Sequence, residues 1–424
     1  MRDLAVLAIL MACVGLAFFR PWVGVLALAF FAYMHPQGFA PGLMHDFPAY
    51  KVLFAATVGG MLIFRQWRPI PIDWRLFVLL GLWALFLATT ITAKAAWAAW
   101  PRMAEISKIF LAMLLTLVLI DSRQKLFTLI VVIAASFALV TIKGGYWAVM
   151  TGFADRVYGP PDSQYYDNNM FAIAALMNVP LLVLWLRETQ SRRLRYGLAA
   201  VIGLSIAAAL SSWSRGALIT LAVTCVVLLW QGKRSYRLAP LVIVGLVLAF
   251  VMLPEAWFER MQSIVAYQHD SSAQSRLDVW QVGIAHALLF PLTGVGFDGW
   301  HYAVVTMDWH NSYVEMMAEH GFVGLALWCT LIFGTVASLM RLGRKVAAFP
   351  ELAWVGRTSG ALIASLIAYA AGSLFLGLSY WDLLYHLIVI AILLEGLART
   401  ALSDRRATMD STRVVPPEGQ GSYL

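Results

Sequence analysis

Charge is scarce in this chain: 13% of its 424 residues are Asp, Glu, Lys or Arg, against about 25% in an ordinary soluble domain. So little polar surface could not cover a core of this size, which excludes a soluble enzyme. Cysteine is scarcer still. Cys13, Cys225 and Cys329 are the three present, each inside an apolar run and none in CxxC spacing, so no disulfide framework and no zinc site is signalled. The compositions that mark disorder, collagen or a coiled coil are missing too. What abounds is apolar: 61% of residues are hydrophobic and the mean hydropathy is +0.75. These residues come in repeated runs of roughly 15 to 20, near the ~20 that carry a helix across ~30 Å of hydrocarbon. The chain reads as an all-α, polytopic integral membrane protein. Its first apolar run resembles a signal peptide, but the hydrophobicity resumes after Arg20-Pro21 with no small-residue cleavage pattern, so it is expected in the mature structure.

The net charge of +8 matters less than its placement, because short loops rich in Lys and Arg stay cytoplasmic. Basic clusters fall at Arg65, Arg68 and Arg75; Arg123 and Lys125; Arg187 to Arg195; Lys233 to Arg237; Arg341 to Arg357; and Arg399 to Arg406. Every second connection fits the inside. Helices are expected near 50–64, 76–92, 106–120, 126–142, 170–186, 196–211, 217–231, 238–253, 321–340, 358–376 and 384–398. The stretch 4–34, broken at Arg20-Pro21, adds one long interrupted span or a helical hairpin, for 12 or 13 transmembrane segments in all. The organisation expected is N-terminal spans over 1–253, a large periplasmic helical loop over 254–320, C-terminal spans over 321–398, and a disordered cytoplasmic tail over 399–424.

Two places break this pattern. The run 197–230 is apolar except for Ser211-Ser212-Trp213-Ser214-Arg215-Gly216, and as one helix it would measure about 51 Å. Both flanks are basic, so it must turn round, at Ser212 to Gly216. Arg215 then sits at or just below the outer membrane surface, where an intramembrane guanidinium is a functional suspect; the alternative is a snorkelling arginine that anchors a helix end.

The second place is 254–320. It holds five of the eight histidines, and eight acids against two bases, Arg260 and Arg276, for a net charge of −6. An acidic domain does not draw in a polyanion by its general field, so an anionic substrate needs individually placed arginines. Arg276, in Ser275-Arg276-Leu277-Asp278-Val279-Trp280, suits a diphosphate because its planar fork donates paired hydrogen bonds; the alternative is a local ion pair with Asp270 or Asp278. Gly294-Val295-Gly296 follows no strand and reads as a turn rather than a dinucleotide loop. His310 is expected to start an amphipathic helix with Glu315 and Glu319 in reach of one face. An imidazole titrates near neutrality and can take a proton from an attacking hydroxyl, although an external histidine can equally be a helix cap or surface residue. Asp162 to Asn169 closes another outer loop, where amides and carboxylates either bind sugar hydroxyls or cap the next helix. Asn168, Asn169, Asp278 and Asn311 are the candidate substrate-binding side chains.

The order of these features resembles the bacterial O-antigen ligase and polymerase superfamily: many spans, Ser-Arg-Gly at an outer helix turn, a late external loop with Ser-Arg-Leu-Asp-x-Trp, then His-Asn-Ser-Tyr and final spans. Arg20-Pro21 and Met34-His35-Pro36 are similar to its exosortase-associated ligase branch. The resemblance implies transfer of a glycan from an undecaprenyl-diphosphate carrier to an acceptor, the lipid A core oligosaccharide in the ligases, at the periplasmic side of the bacterial inner membrane. It puts the family's two essential arginines on Arg215 and Arg276 and its essential histidine on His310. An O-antigen polymerase or a protein O-oligosaccharyltransferase is compatible with the same three positions.

The chemistry expected is a metal-independent, inverting displacement, with Arg215 and Arg276 clamping the diphosphate and His310 as general base. No metal, cofactor or nucleic-acid partner is expected; the partners are the carrier-linked glycan, its acceptor and membrane lipids. The rival of another class is a transporter or flippase for lipid-linked sugar. That reading calls for ionisable residues at mid-membrane and two related halves, neither of which the sequence displays; a scaffold or receptor leaves the Arg, Arg and His set without a role.

Overall fold

A computed structural model of the chain describes residues 1–231, 253–262, 271–303 and 307–413, and among these it is helical, without strands. The expected helix at 238–253 lies almost wholly outside the described residues. The N-terminal stretch resolves into α1 (Arg2–Phe19) and α2 (Pro21–Tyr33). They break at Arg20, with Pro21 at the first helical position, where its missing N–H costs nothing. Both pack against each other and against α3 (Ala49–Ile63), so the pair behaves as a helical hairpin.

Next come α4 (Trp74–Ile91), α5 (Ala96–Leu119), α6 (Arg123–Met150), α7 (Asn168–Glu188) and α8 (Arg192–Leu210). Side chains of Asp73, Ser122, Asp167 and Ser191 accept from the first free backbone N–H groups of α4, α6, α7 and α8, which is why these helices start where they do. Beyond them lie α9 (Arg215–Gln231), α10 (Glu255–Gln262), α11 (Ser271–Leu289), α12 (Ser312–Val346), α13 (Ala353–Gly372) and α14 (Asp382–Arg413). Helix α7 packs on α6, α8, α9 and α13, while α14 packs on α4, α5, α6 and α13, so these two form the axis of the bundle.

Eight helices among the described residues are long and apolar enough to cross a membrane: α1, α4, α6, α7, α8, α12, α13 and α14. The expectation of 12 or 13 is therefore not met by that measure. The reason is length and polarity. Helices α2, α3 and α9 are apolar but have 13, 15 and 17 residues, and the first half of α5 carries Arg102, Glu105 and Lys108. Two boundaries also move. Helix α12 starts at Ser312, nine residues before the expected span, and bends at Gly321, where φ is 68°. At the other end α14 continues through the supposed tail to Arg413; residues 414–424 lie outside the described set.

The basic connections gather at one end. Arg68 and Lys125 pair with Asp121, Arg123 and Arg357 with Glu188, and Arg399 with Asp73 and Glu395. In their midst Arg75 is wholly buried, its Nε 2.8 Å from Asp73 and its Nη2 2.8 Å from Glu395. The 21 residues of α7 separate this end from the other by about 30 Å at 1.5 Å per residue.

Candidate active site

The other end of the bundle is built around the turn that joins α8 to α9. The reversal expected at Ser212 to Gly216 is present: α8 ends at Leu210 and α9 begins at Arg215. Trp213 takes a left-handed backbone, φ 59°, and Ser214 accepts from the Ala217 N–H at 3.3 Å. Four hydrogen bonds from three separate segments hold the turn. Asn168 Nδ2 donates to the Ser212 carbonyl at 2.6 Å, and Ser211 Oγ donates to the Asp155 carbonyl at 2.7 Å. From α10, Trp257 Nε1 donates to the Leu210 carbonyl at 3.2 Å and Arg260 Nε to the Trp213 carbonyl at 3.0 Å. A half-buried guanidinium at Arg215 thus leaves a turn that is fixed from all sides.

His310 is positioned by a different set. Asn311 caps α12, its Oδ1 accepting from Tyr313 N at 2.9 Å and Val314 N at 3.3 Å, and His310 just before it has φ 47°. Such a backbone costs a non-glycine residue of order 1–3 kcal/mol and persists only where neighbours impose it. Here they do. Trp280 Nε1, on α11, donates to the Trp309 carbonyl at 2.8 Å, and Gly283 leaves room for the Trp309 ring, which a Cβ would meet at 3.0 Å. Residues 276, 280 and 283 share one helical face, so the face that grips Trp309 also presents Arg276.

The electrostatics bring these parts together. Burial pushes the His310 imidazole below its ordinary value; Arg276 pushes it the same way, while Asp308 and Asp167 pull it up. Arg276, Asp308 and Asp167 therefore all lie near enough to this imidazole for their charges to act on it. Asp167 is the cap of α7, accepting from Asn169 N at 2.9 Å, and its neighbour Asn168 holds the turn before Arg215. The 373–381 connection closes the ring: Ser373 O accepts from Ser312 N at 2.8 Å, while the Phe375 ring lies against Gly216, where a Cβ would come within 3.1 Å of it. The residue after Arg215 and the first residue of α12, two positions beyond His310, thus lean on the same loop.

Behind the imidazole lies a layer of buried acids. Glu319 accepts from Trp309 Nε1 at 2.9 Å and Tyr380 Oη at 2.6 Å, and Glu315 from Ser379 N at 3.1 Å. Glu315 and Glu319 share one face of α12, as their spacing predicts, but that face is buried, and the two side chains pin α12 to its surroundings. His320 is also internal, between Thr89 at 2.7 Å and Tyr380 at 2.9 Å.

Of the candidate substrate-binding residues, Asn168 lies at the site but spends its amide on the Ser212 carbonyl. Asn169 bonds Asp167 at 3.1 Å, Asn311 is the α12 cap, and Asp278 is exposed, with Gln274 at 3.5 Å. The reading of Asp162 to Asn169 as a cap holds for Asp167. Sequence reasoning missed Asp308 as a neighbour of His310, and missed Trp257, Arg260 and Trp280 as anchors. The signal for Asp308 was its place two residues before the histidine; the anchors carried none, since their partners lie 47, 47 and 29 residues away. Among the described residues no three or more His, Cys, Asp or Glu are grouped to hold a metal ion.

No curated protein matches the chain. Residues 1–191 match a family model described as a family of unknown function (DUF5935). Residues 198–329, which contain Arg215, Arg276 and His310, match the family model described as O-Antigen ligase, and this domain supports placing the chain in the O-antigen ligase and polymerase superfamily.

Proposed function

We propose that the chain transfers a glycan from undecaprenyl diphosphate to a hydroxyl of the lipid A core oligosaccharide, at the periplasmic face of the bacterial inner membrane. What supports this reading is that Arg276 lies near enough to His310 for its charge to act on the imidazole, at the bundle end where the turn before Arg215 is anchored. Two guanidiniums answer the charge that grows on the diphosphate oxygens as the bond to the anomeric carbon breaks. Donors of this kind, fixed where charge develops, are worth about 100-fold to 1,000-fold each. His310, neutral at pH 7, takes the proton of the acceptor hydroxyl as the new glycosidic bond forms, a role worth roughly 10² to 10⁴. No side chain forms a bond to the sugar, so the anomeric configuration inverts. The energy comes from releasing the lipid diphosphate.

The test is purified protein in detergent with carrier-linked glycan and lipid A core. A joined product that disappears in Arg215→Ala, Arg276→Ala and His310→Ala, with folding unchanged, supports the proposal. Near-normal joining in any one removes that residue from the mechanism. Chain growth without the lipid acceptor makes the enzyme a polymerase, and loss of activity in excess EDTA brings a metal back.

A further inference from the structure

The end of the bundle away from His310 contains a cavity of about 420 Å³ between α6, α7 and α13, with Arg123, Leu126, Phe127, Ile130, Glu188 and Trp354 on its walls. Its mouth is cationic. The Arg123 guanidinium lies over the Trp354 ring at 4.9 Å, Arg357 pairs with Glu188, and Arg187 stands close enough to Arg357 for the two charges to repel. Glu188 is the single carboxylate on the cavity wall, and it is shared: Arg357 holds one of its oxygens, and Arg123 reaches the other at 3.8 Å. Two guanidiniums around one carboxylate leave one positive charge unanswered. The inner wall is of the opposite character, with Ile130 one turn beyond the adjacent Leu126 and Phe127 along α6, the helix that runs into the apolar body.

We infer that this cavity binds an anionic phospholipid of the surrounding leaflet. The phosphodiester takes the Arg123 and Arg357 fork geometry, and an acyl chain follows the Leu126, Phe127 and Ile130 wall. Basic pockets between spans recognise such headgroups by this combination of charge and adjacent hydrocarbon. The indole of Trp354 supports the Arg123 guanidinium in place, so the charge is oriented before a lipid arrives. The inference is independent of the proposed reaction, since the site is about 30 Å away along α7.

The experiment is native mass spectrometry of the full chain with palmitoyl-oleoyl phosphatidylglycerol, with the matching phosphatidylcholine, and with soluble glycerophosphoglycerol. Phosphatidylglycerol should bind, with phosphatidylcholine at least about tenfold weaker, because the choline cation beside the same phosphodiester cancels its net charge and is repelled by the uncompensated guanidinium. Arg123→Gln should weaken phosphatidylglycerol by a similar factor. Arg193→Gln, an exposed charge at the same end, should not. Glu188→Gln should tighten binding, because it releases Arg123 and Arg357 to the lipid, an effect that misfolding does not imitate. Equal binding of the two lipids, an Arg123→Gln effect no larger than that of Arg193→Gln, or weaker binding in Glu188→Gln overturns the inference. Binding of the soluble headgroup as tightly as the lipid makes this a simple anion site and overturns it as well.

Discussion

At the scale of the residue, His310 is held between opposing influences. Burial and Arg276 favour the neutral ring, while Asp308 and Asp167 favour the protonated one. The net shift is downward, so the ring stays unprotonated and able to accept a proton from pH 7 to somewhat below its ordinary ~6.5. The acid limb of kcat/KM should therefore fall below pH 6.5. Asp308→Asn removes a charge that raises the pKa, so the limb should move to still lower pH; a limb that stays in place would show that Asp308 does not act on the base. Asp308 itself was in plain view two residues from His310, but the other seven acids of 254–320 were equally visible, and only the folded chain selects among them.

At the scale of the element, the entrance to α12 carries the most constraint. Gly321 has φ 68°, and a Cβ there would lie 2.5 Å from the Pro291 carbonyl. Gly321→Ala should cost at least about 1–3 kcal/mol of stability, read as a lower melting temperature, and should reduce transfer because the first turn of α12 sets His310. An unchanged melting temperature would mean that the bend relaxes freely. Hydropathy put the start of this span at 321 because Glu315, Glu319 and His320 interrupt the apolar run. The helix begins earlier because Trp309, Ser379, Tyr380 and Thr89 satisfy those three side chains. Polarity in a sequence marks a boundary only when no partner waits for it. The α10 anchor makes a related prediction: Trp257→Phe keeps an aromatic side chain but loses the bond to the Leu210 carbonyl, and should loosen the Arg215 turn, lowering transfer more than stability. Equal transfer by Trp257→Phe and wild type would remove that hydrogen bond from the positioning of Arg215.

At the scale of the whole molecule, the two ends are built differently. The end away from His310 is locked by Arg75, whose pairs with Asp73 and Glu395 join the start of α4 to α14. Removing one partner of a buried ion pair strands the others, so Arg75→Ala should cost about 3–5 kcal/mol, measured by thermal unfolding in detergent; a change below ~1 kcal/mol would mean that water or a neighbour replaces the guanidinium. A reporter fused after residue 285 should appear outside the cytoplasm, on the side of His310, and a cytoplasmic signal would reverse the proposed orientation.

The sequence by itself determined the solvent this protein folds in, the reversal at Ser212 to Gly216, and the few cations and imidazoles free of an obvious packing role. Each of these is a local sum of hydropathy, helix length or charge, and local sums can be read from a string. The tertiary structure alone decided that the charges of Arg276, Asp308 and Asp167 act on His310, that Asn168 and Asn311 serve as a tie and a cap, and that a guanidinium-rimmed cavity opens at the far end. Those outcomes depend on which helix faces meet and which loops bridge them, and that is set by packing between segments tens to hundreds of residues apart, where no short-range pattern in the chain records the partner.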